Sequence, residues 1–329
     1  SATSSLHVAC LALGVGPGDV VWTTPNTFVA SANCARYCGA DVDFVDIDPA
    51  TLNMCPQAFE AKLKAADAQG RLPKAVIPVH FAGRSADMQA IGELARAHGV
   101  RVIEDASHAV GGTYLNAPVG GCAHSDIAIF SFHPVKIVTS GEGGMATTND
   151  PDLARDMELF RSHGVTRDPS LMETTDEGPW RYDMVALGFN YRLTDIQARL
   201  GVAQMRRLDE FIERRNRLAR RYDELLPDLP LVRPEHPHDG RSAWHLYVVQ
   251  TIRHDRRQVF EALRAGGIGV NVHYIPVHLQ PYYRRLGFKP GDFPAAEAYY
   301  KQAITIPLFA AMTDAEQDTV VARLREALA

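Results

Sequence analysis

The chain has 329 residues, 46% of them hydrophobic and 22% charged, enough for a substantial core in one large or two modest domains. Its net charge of -5, sequence pI near 6.2 and dispersed basic residues exclude the concentrated positive face that nucleic acid or an anionic membrane requires. No apolar run reaches the length of a membrane span, no charged-then-apolar leader opens the chain, and the five cysteines contain no CxxC pair, so reduced thiols in a cytoplasmic protein are expected.

SATSSLHVACLALG reads as a polar turn entering an amphipathic helix, with Leu6, Cys10 and Leu13 on one face. The hydroxyls and N–H groups at such a start either cap the helix or suit a phosphate dianion. GVGPGDVVW carries glycines spaced like a dinucleotide fingerprint. They follow a helix and precede a strand over 20–24, the reverse of the order that motif needs, which argues against a Rossmann dehydrogenase. A turn then leads to a helix whose start presents Phe28, an aromatic that fits a core or the face of a planar ring. Cys34 and Cys38 share a face of that helix, but two thiols alone make a poor metal site.

From residue 40 strands and helices alternate: VDFVDID, a helix over 56–66, KAVIPVHFAG, a helix over 87–98, then RVIEDA. That alternation predicts a doubly wound, mainly parallel sheet. His80 ends one strand, where ordinary packing accounts for it. Asp105 ends the next, at the edge where ligands of open α/β sheets bind. Its carboxylate either caps the following turn or holds a pyridine nitrogen protonated.

DIAIFSFHPVKIVTSGEGG runs from a buried strand into a glycine cluster, placing Lys136 on a turn just past the strand end. Phe130, Phe132, Val135, Ile137 and Val138 flank it and would strip water from its ammonium, lowering its pKa. Two readings fit equally: a nucleophilic amine that forms a Schiff base, or a lysine whose stem covers the strand end while its head reaches solvent. A strand from GGMATTND and a helix over 151–162 follow, with Arg161 and His163 near its carboxyl end, where cations suit the helix dipole. Residues 165–183 read as a long polar loop. Thr194 and Asp195 then begin one long helix running past Arg221, with Ile196, Leu200 and Ala203 on one face.

A stretch rich in Pro, Asp and His over 227–240 marks a domain boundary, dividing the chain into 1–226 and 227–329. The second part is a smaller α+β unit with strands AWHLYVVQTI and GVNVHYI and helices near 255–265, 294–303 and 313–328. His236, His238 and His245 have no metal-like spacing and read as solvated or packed. His273 and Tyr274 end the second strand and Pro276 turns the chain before His278. These polar tips could overhang the crevice. A metal pair of His273 and His278 lacks supporting carboxylates or cysteines, so no metal is expected.

The spaced pattern EDASHAVGG, FSFHPVK and GEGG, with LGFNYRLTD further on, resembles the DegT/DnrJ/EryC1/StrS family of sugar aminotransferases, from Ser1 almost to the C-terminus. The resemblance implies the aspartate-aminotransferase-like fold (fold type I), an α/β large domain with a mainly parallel sheet plus the smaller α+β domain, and pyridoxal phosphate as cofactor. It implies Lys136 as the Schiff-base lysine and Asp105 as partner of the pyridinium nitrogen. Ala2, Thr3 and Ser131 would hold the phosphate, Phe28 would stack on the ring and His108 would lie beside it. Asn190 would reach the cofactor phosphate of the neighbouring subunit, making a homodimer part of the site. Arg161, His163, His273, Tyr274, Pro276 and His278 are carried over as contacts to the substrate. Chains of the family begin several dozen residues before the position of Ser1, in a segment that shapes the site and the subunit contact, so a truncated chain is expected.

The implied reaction is ping-pong transamination, with glutamate the usual donor, a nucleotide-linked keto sugar the acceptor, and the freed lysine amine carrying the proton. Within the family, WTTPNTFVASANCARYCGADVDFVDIDPATLNM, RSHG and VHYIPVHLQPYY are most similar to the branch that aminates C4 of a UDP-linked 4-keto-6-deoxy-N-acetylhexosamine in pseudaminic acid synthesis. C3 or C4 aminotransferases of dTDP- or GDP-sugars are the near alternative. Sugar dehydratases of this scaffold replace the lysine with histidine. A non-catalytic regulator on the same fold is the distant alternative, against which an intact Lys136 and Asp105 count.

Overall fold

The computed structural model describes residues 1–174 and 177–329, so 175–176 of the expected long loop lie outside the described residues. Its main sheet has six strands in the order Asp41–Phe44, Val20–Thr23, Ala75–Ile77, Arg101–Asp105, Ile127–Ser131 and Gly144–Thr147. All neighbours are parallel except the last pair, which is antiparallel. Ala75–Ile77 and Ile127–Ser131 are buried along their whole length, as strands covered on both faces must be. On one face α1 (Ala2–Ala12) and α2 (Ala30–Tyr37) pack Leu6, Cys10 and Cys34 against Ile77, Ile103 and Ile129. On the other, α3 (Pro56–Asp67) and α4 (Met88–Ala97) pack Phe59, Leu63 and Ile91 against Val76 and Val102.

These helices begin where their first-turn N–H groups find acceptors. Ser1 Oγ accepts from Ser4 N at 3.2 Å and Asp87 Oδ1 from Ala90 N at 3.1 Å. Asp150 caps α5 (Pro151–Arg161), whose first residue is a proline that has no N–H to satisfy.

The single long helix expected from Thr194 is two helices, α6 (Asp195–Met205) and α7 (Leu208–Leu225), broken at Arg206 and Arg207. Thr194 and Gln197 form a capping box at the first. The face carrying Ile196, Leu200 and Ala203 is not covered within this chain: α6 buries none of its residues, and Ile196 is 85% exposed. α7 instead places Leu218, Ala219 and Tyr222 in the core of the C-terminal unit, beneath the antiparallel sheet Leu231–Val232, Tyr247–Thr251 and Ala303–Ile306. This packing carries the smaller unit's core upstream of the boundary expected at 227.

Two other expected strands are shorter than their sequences suggest. AWHLYVVQTI is strand only from Tyr247, because Ala243 N and Leu246 N donate instead to Gly83 O and Ala82 O at 2.9 and 3.2 Å. GVNVHYI is no strand beyond a bridge between Asn271 and Thr305; the chain then crosses to the large unit, where Val277 N donates to Pro25 O at 2.9 Å.

Candidate active site

Asp105 and Ser131 stand at the carboxyl ends of adjacent parallel strands, with Lys136 on the turn that follows the second. Together with Ala2, Thr3, Phe28, His108, His273 and Tyr274 they line one cavity of about 580 Å³. Its walls come from α1, the start of α2, the strand ends and the 271–280 crossing, which is why residues distant in sequence share it.

Lys136 is half-buried, and burial pulls its ammonium down to about 8 while the Asp105 carboxylate opposes the shift. About a tenth of such an amine is unprotonated at pH 7, far more than of an ordinary lysine, and only that form is a nucleophile. Asp105 is buried and held from two sides: Ser31 Oγ donates to Oδ2 at 2.6 Å and Ser107 N to Oδ1 at 3.1 Å. Those donors fix the carboxylate in direction. Ser31 lies one turn after Phe28, and nothing in the local sequence marks it.

His108 is buried, and desolvation followed by the charge of Lys136 pushes it well below the usual imidazole range, so it is neutral. Ala82 N donates to its Nδ1 at 3.3 Å, which leaves the proton on Nε2, 3.1 Å from the Tyr274 hydroxyl. The Tyr274 oxygen therefore accepts from His108 and keeps its own proton to donate elsewhere. Tyr274 is stacked beside His108, with ring centroids 6.1 Å apart, and lies 6.2 Å from the ring of Phe28. Phe28 itself is 58% exposed, so it is not the core aromatic that helix-start position permits. Burial and then Lys136 bring His273 down to about 4; its Nδ1 meets Thr305 Oγ1 at 2.8 Å.

At the opposite wall α1 begins. A Cβ on Gly144 would run into the backbone of Ser1 and Ala2, so a glycine there lets the start of the helix lie against the strand. The N–H groups of a first helical turn have no intrahelical acceptors and suit an anion. The donor set fits pyridoxal phosphate: a desolvated lysine for the aldehyde, a fixed carboxylate, an exposed aromatic face, and a helix start with Thr3 and Ser131 for the phosphate.

Other expected contacts fall elsewhere. His278 is fully buried beneath the crossing, with Nε2 2.9 Å from Glu297 Oε1, and Pro276 is buried beside it; neither lines the cavity. They turn the chain rather than overhang the crevice. Arg161 lines a neighbouring groove with Ser4, Ser5, Tyr191 and Arg192, and pairs with Glu158 at 3.9 Å. His163 and Asn190 are exposed and do not line the cavity of their own chain. His80, read as strand-end packing, is a buried partner of Glu104 at 2.9 Å. His245, read as solvated or packed, is buried with Nε2 3.5 Å from Lys136 Nζ. The 82–83 turn, which accepts from Ala243 N and Leu246 N, and Arg215 Nη1, which donates to His245 O, hold it there.

The DegT/DnrJ/EryC1/StrS aminotransferase family matches residues 1–325. The chain is 40% identical over 333 residues to the spore coat polysaccharide biosynthesis protein SpsC of Bacillus subtilis, covering 99% of this chain and 83% of that protein. It is also 40% identical over 332 residues to GDP-perosamine synthase of Caulobacter vibrioides, covering 99% and 84%. Among solved structures, PseC of Helicobacter pylori, an aminotransferase involved in the biosynthesis of pseudoaminic acid, has a TM-score of 0.89 and 29% identity, covering 100% of this chain and 85% of that one. The PLP form of Spr1654 from Streptococcus pneumoniae has a TM-score of 0.88 and 28% identity, covering 100% and 86%.

Proposed function

Because the chain belongs to the DegT/DnrJ/EryC1/StrS aminotransferase family, with the type I fold and pyridoxal phosphate as cofactor, we propose that it aminates a nucleotide-linked keto sugar. The single observation that carries this reading is the convergence of a desolvated Lys136, a hydrogen-bonded Asp105 and the start of α1 on one cavity.

Bound there, pyridoxal phosphate supplies an electron sink for the carbon that loses a proton. The residues supply the rest. Asp105, braced by Ser31 and Ser107, keeps a positive charge on the ring nitrogen. Phe28 limits the ring to one plane, and the α1 start with Thr3 and Ser131 anchors its phosphate. Lys136, when free, would take a proton from the carbon bearing the donor's amino group and deliver it to the carbon on the other side of that nitrogen. Its lowered pKa places both protonation states within reach of neutral pH. Tyr274, with His108 donating to its oxygen, keeps its O–H to offer a hydrogen bond to a sugar hydroxyl or carbonyl.

Within this reading the acceptor is a UDP-linked 4-keto-6-deoxy-N-acetylhexosamine and the donor glutamate, supported by the likeness to PseC across the whole chain. Amination of a GDP-linked 4-keto sugar is the second reading, favoured by the 40% identity with GDP-perosamine synthase. We place the protein in the cytoplasm; among the described residues no helix is long and apolar enough to cross a membrane.

A homodimer completes the proposal. Ile196 and Leu200 on one side of α6, Val202 and Met205 on the other, and Leu187 before it are all exposed apolar side chains. A second copy covering this helix would bring Asn190 to its neighbour's phosphate.

The test is the visible spectrum of the protein reconstituted with pyridoxal phosphate. A band at about 410–430 nm, abolished by borohydride and missing in Lys136→Ala, is expected of a lysine-linked imine. Glutamate should bleach it, and UDP- or GDP-linked keto sugars should each be tried for restoring it. A wild-type protein that binds the cofactor without the band, or a Lys136→Ala variant that keeps it, overturns the assignment.

A further inference from the structure

We infer that His245 is a positioning residue for Lys136: its Nε2 accepts a hydrogen bond from the free lysine amine and holds that amine at the wall of the cavity, clear of the ring site. The inference rests on Lys136 being the reactive amine.

The first ground is how much structure is committed to His245. The preceding residue, Trp244, has a φ of 47°, a left-handed conformation unfavourable for a bulky side chain. The buried guanidinium of Arg215 holds this turn by donating through Nη1 to Trp244 O at 3.0 Å, His245 O at 3.3 Å and Leu308 O at 3.0 Å. From the other side the turn at Gly83 approaches so closely that a Cβ there would stand 2.7 Å from Trp244 N and 2.9 Å from His245 N. That same turn donates from Ala82 N to His108 Nδ1. One small loop therefore fixes both imidazoles, whose centroids are 4.4 Å apart.

The second ground is what His245 bonds. Among the described residues its Nδ1 has no hydrogen-bond partner, so the nitrogen facing Lys136 is the one that is used. Burial, followed by the charge of Lys136 and Arg215, keeps His245 neutral, so Nε2 has a lone pair to offer while Nδ1 carries the proton. The other titratable groups around this contact are Asp105, His108, His133 and His273. Asp105 is the carboxylate among them that attracts the ammonium.

Two nearly isosteric amides separate this role from packing. The side-chain oxygen of Gln reaches the place of Nε2, whereas that of Asn stops at the place of Nδ1. The full-length protein loaded with pyridoxamine phosphate, in which Lys136 is free, is labelled with acetic anhydride across a pH series, and Lys136 is read by mass spectrometry. The wild-type labelling pKa should lie near 8. His245→Gln should stay within a few tenths of it, and His245→Asn should fall by about one unit, because the ammonium loses its acceptor. In turnover, His245→Asn should lower kcat about tenfold with KM little changed, and His245→Gln should largely restore kcat. Equal labelling pKa values and equal kcat in all three proteins would overturn the inference. If Lys136→Ala keeps the visible band, the lysine assignment itself fails; if the band is lost and the His245 variants remain silent, only the role of His245 fails.

Discussion

Two pairs of buried histidines sit in this molecule under opposite rules. His80 and His278 each meet a glutamate at 2.9 Å, Glu104 and Glu297 respectively. His108 and His245 have no carboxylate within bonding distance among the described residues and face Lys136, directly for His245 and across 4.4 Å of ring contact for His108. Burial alone would raise Glu104 and Glu297, yet the bonds from their histidines bring both below the ordinary carboxylate range. The first pair is bonded away from the cavity: His80 uses both nitrogens, Nδ1 accepting from Ala86 N at 3.1 Å, and among the described residues His278 bonds through Nε2 alone; the second pair keeps a lone pair or a proton turned towards the cavity. Burial of a histidine is therefore not informative until its partners are known.

The comparison is sharpest where the lysine is removed. Lys136→Ala should lower kcat by about 10³-fold or more, because the group that moves the proton is gone, and steady-state transamination would show it. A loss of less than tenfold would mean that the neutral histidines do not surround the reactive amine.

The paired histidines should behave in the reverse way. Glu297→Gln or Glu104→Gln removes one member of a buried pair and should cost about 3 kcal/mol in urea unfolding. The kcat of the folded fraction should stay within about threefold. A large loss of kcat at unchanged stability would place these pairs in the chemistry and break the distinction.

Lys136 also makes the cofactor-free protein sensitive to pH. Its folded pKa of about 8 lies below the 10.5 of an ordinary, solvated lysine in the unfolded chain. The unfolded chain therefore binds more protons than the folded one between those values, and stability rises with pH across that window. Below about pH 8 the cost of burying the ammonium is present in full. Lys136→Met should accordingly stabilise the cofactor-free protein at pH 7 by about 1–3 kcal/mol, with the difference shrinking towards pH 10. Thermal unfolding of the two proteins at a series of pH values measures it, and a difference that grows with pH would contradict the sign.

The smallest expected effect concerns Asp105. Ser31→Ala removes the 2.6 Å bond to its carboxylate and should reduce kcat about tenfold, the effect of a charged hydrogen bond worth about 1.4 kcal/mol. Cofactor affinity, titrated by absorbance, should weaken by a similar factor. Unchanged values would show that Ser107 alone suffices.

Much of the sheet was legible in the chain because its strands are short apolar runs bounded by glycines and turn residues. The helices over 56–67, 88–97 and 151–161 announce themselves by caps and by prolines at their starts. Lys136 and Asp105 were legible too, since each stands at the end of such a run in a motif of fixed spacing. His278 misled for a local reason: it shares a segment with Tyr274, and only the turn after Pro276 decides that one ring enters the cavity and the other the core. The helix expected from Thr194 is divided at Arg206 and Arg207, and periodicity alone shows neither that break nor what covers Ile196 and Leu200.

By itself the sequence determined what short-range physics can encode: the strand and helix alternation, the caps, the turn that carries the lysine, and the motif that names the chemistry. The tertiary structure decided which distant groups meet that lysine. Ser31 reaches Asp105 across 74 positions and His245 reaches Lys136 across 109. No local pattern records such pairings. They depend on how helices pack on the sheet and on how closely the backbone at Gly83 approaches Trp244 and His245, distances set by the whole fold rather than by neighbours in the chain.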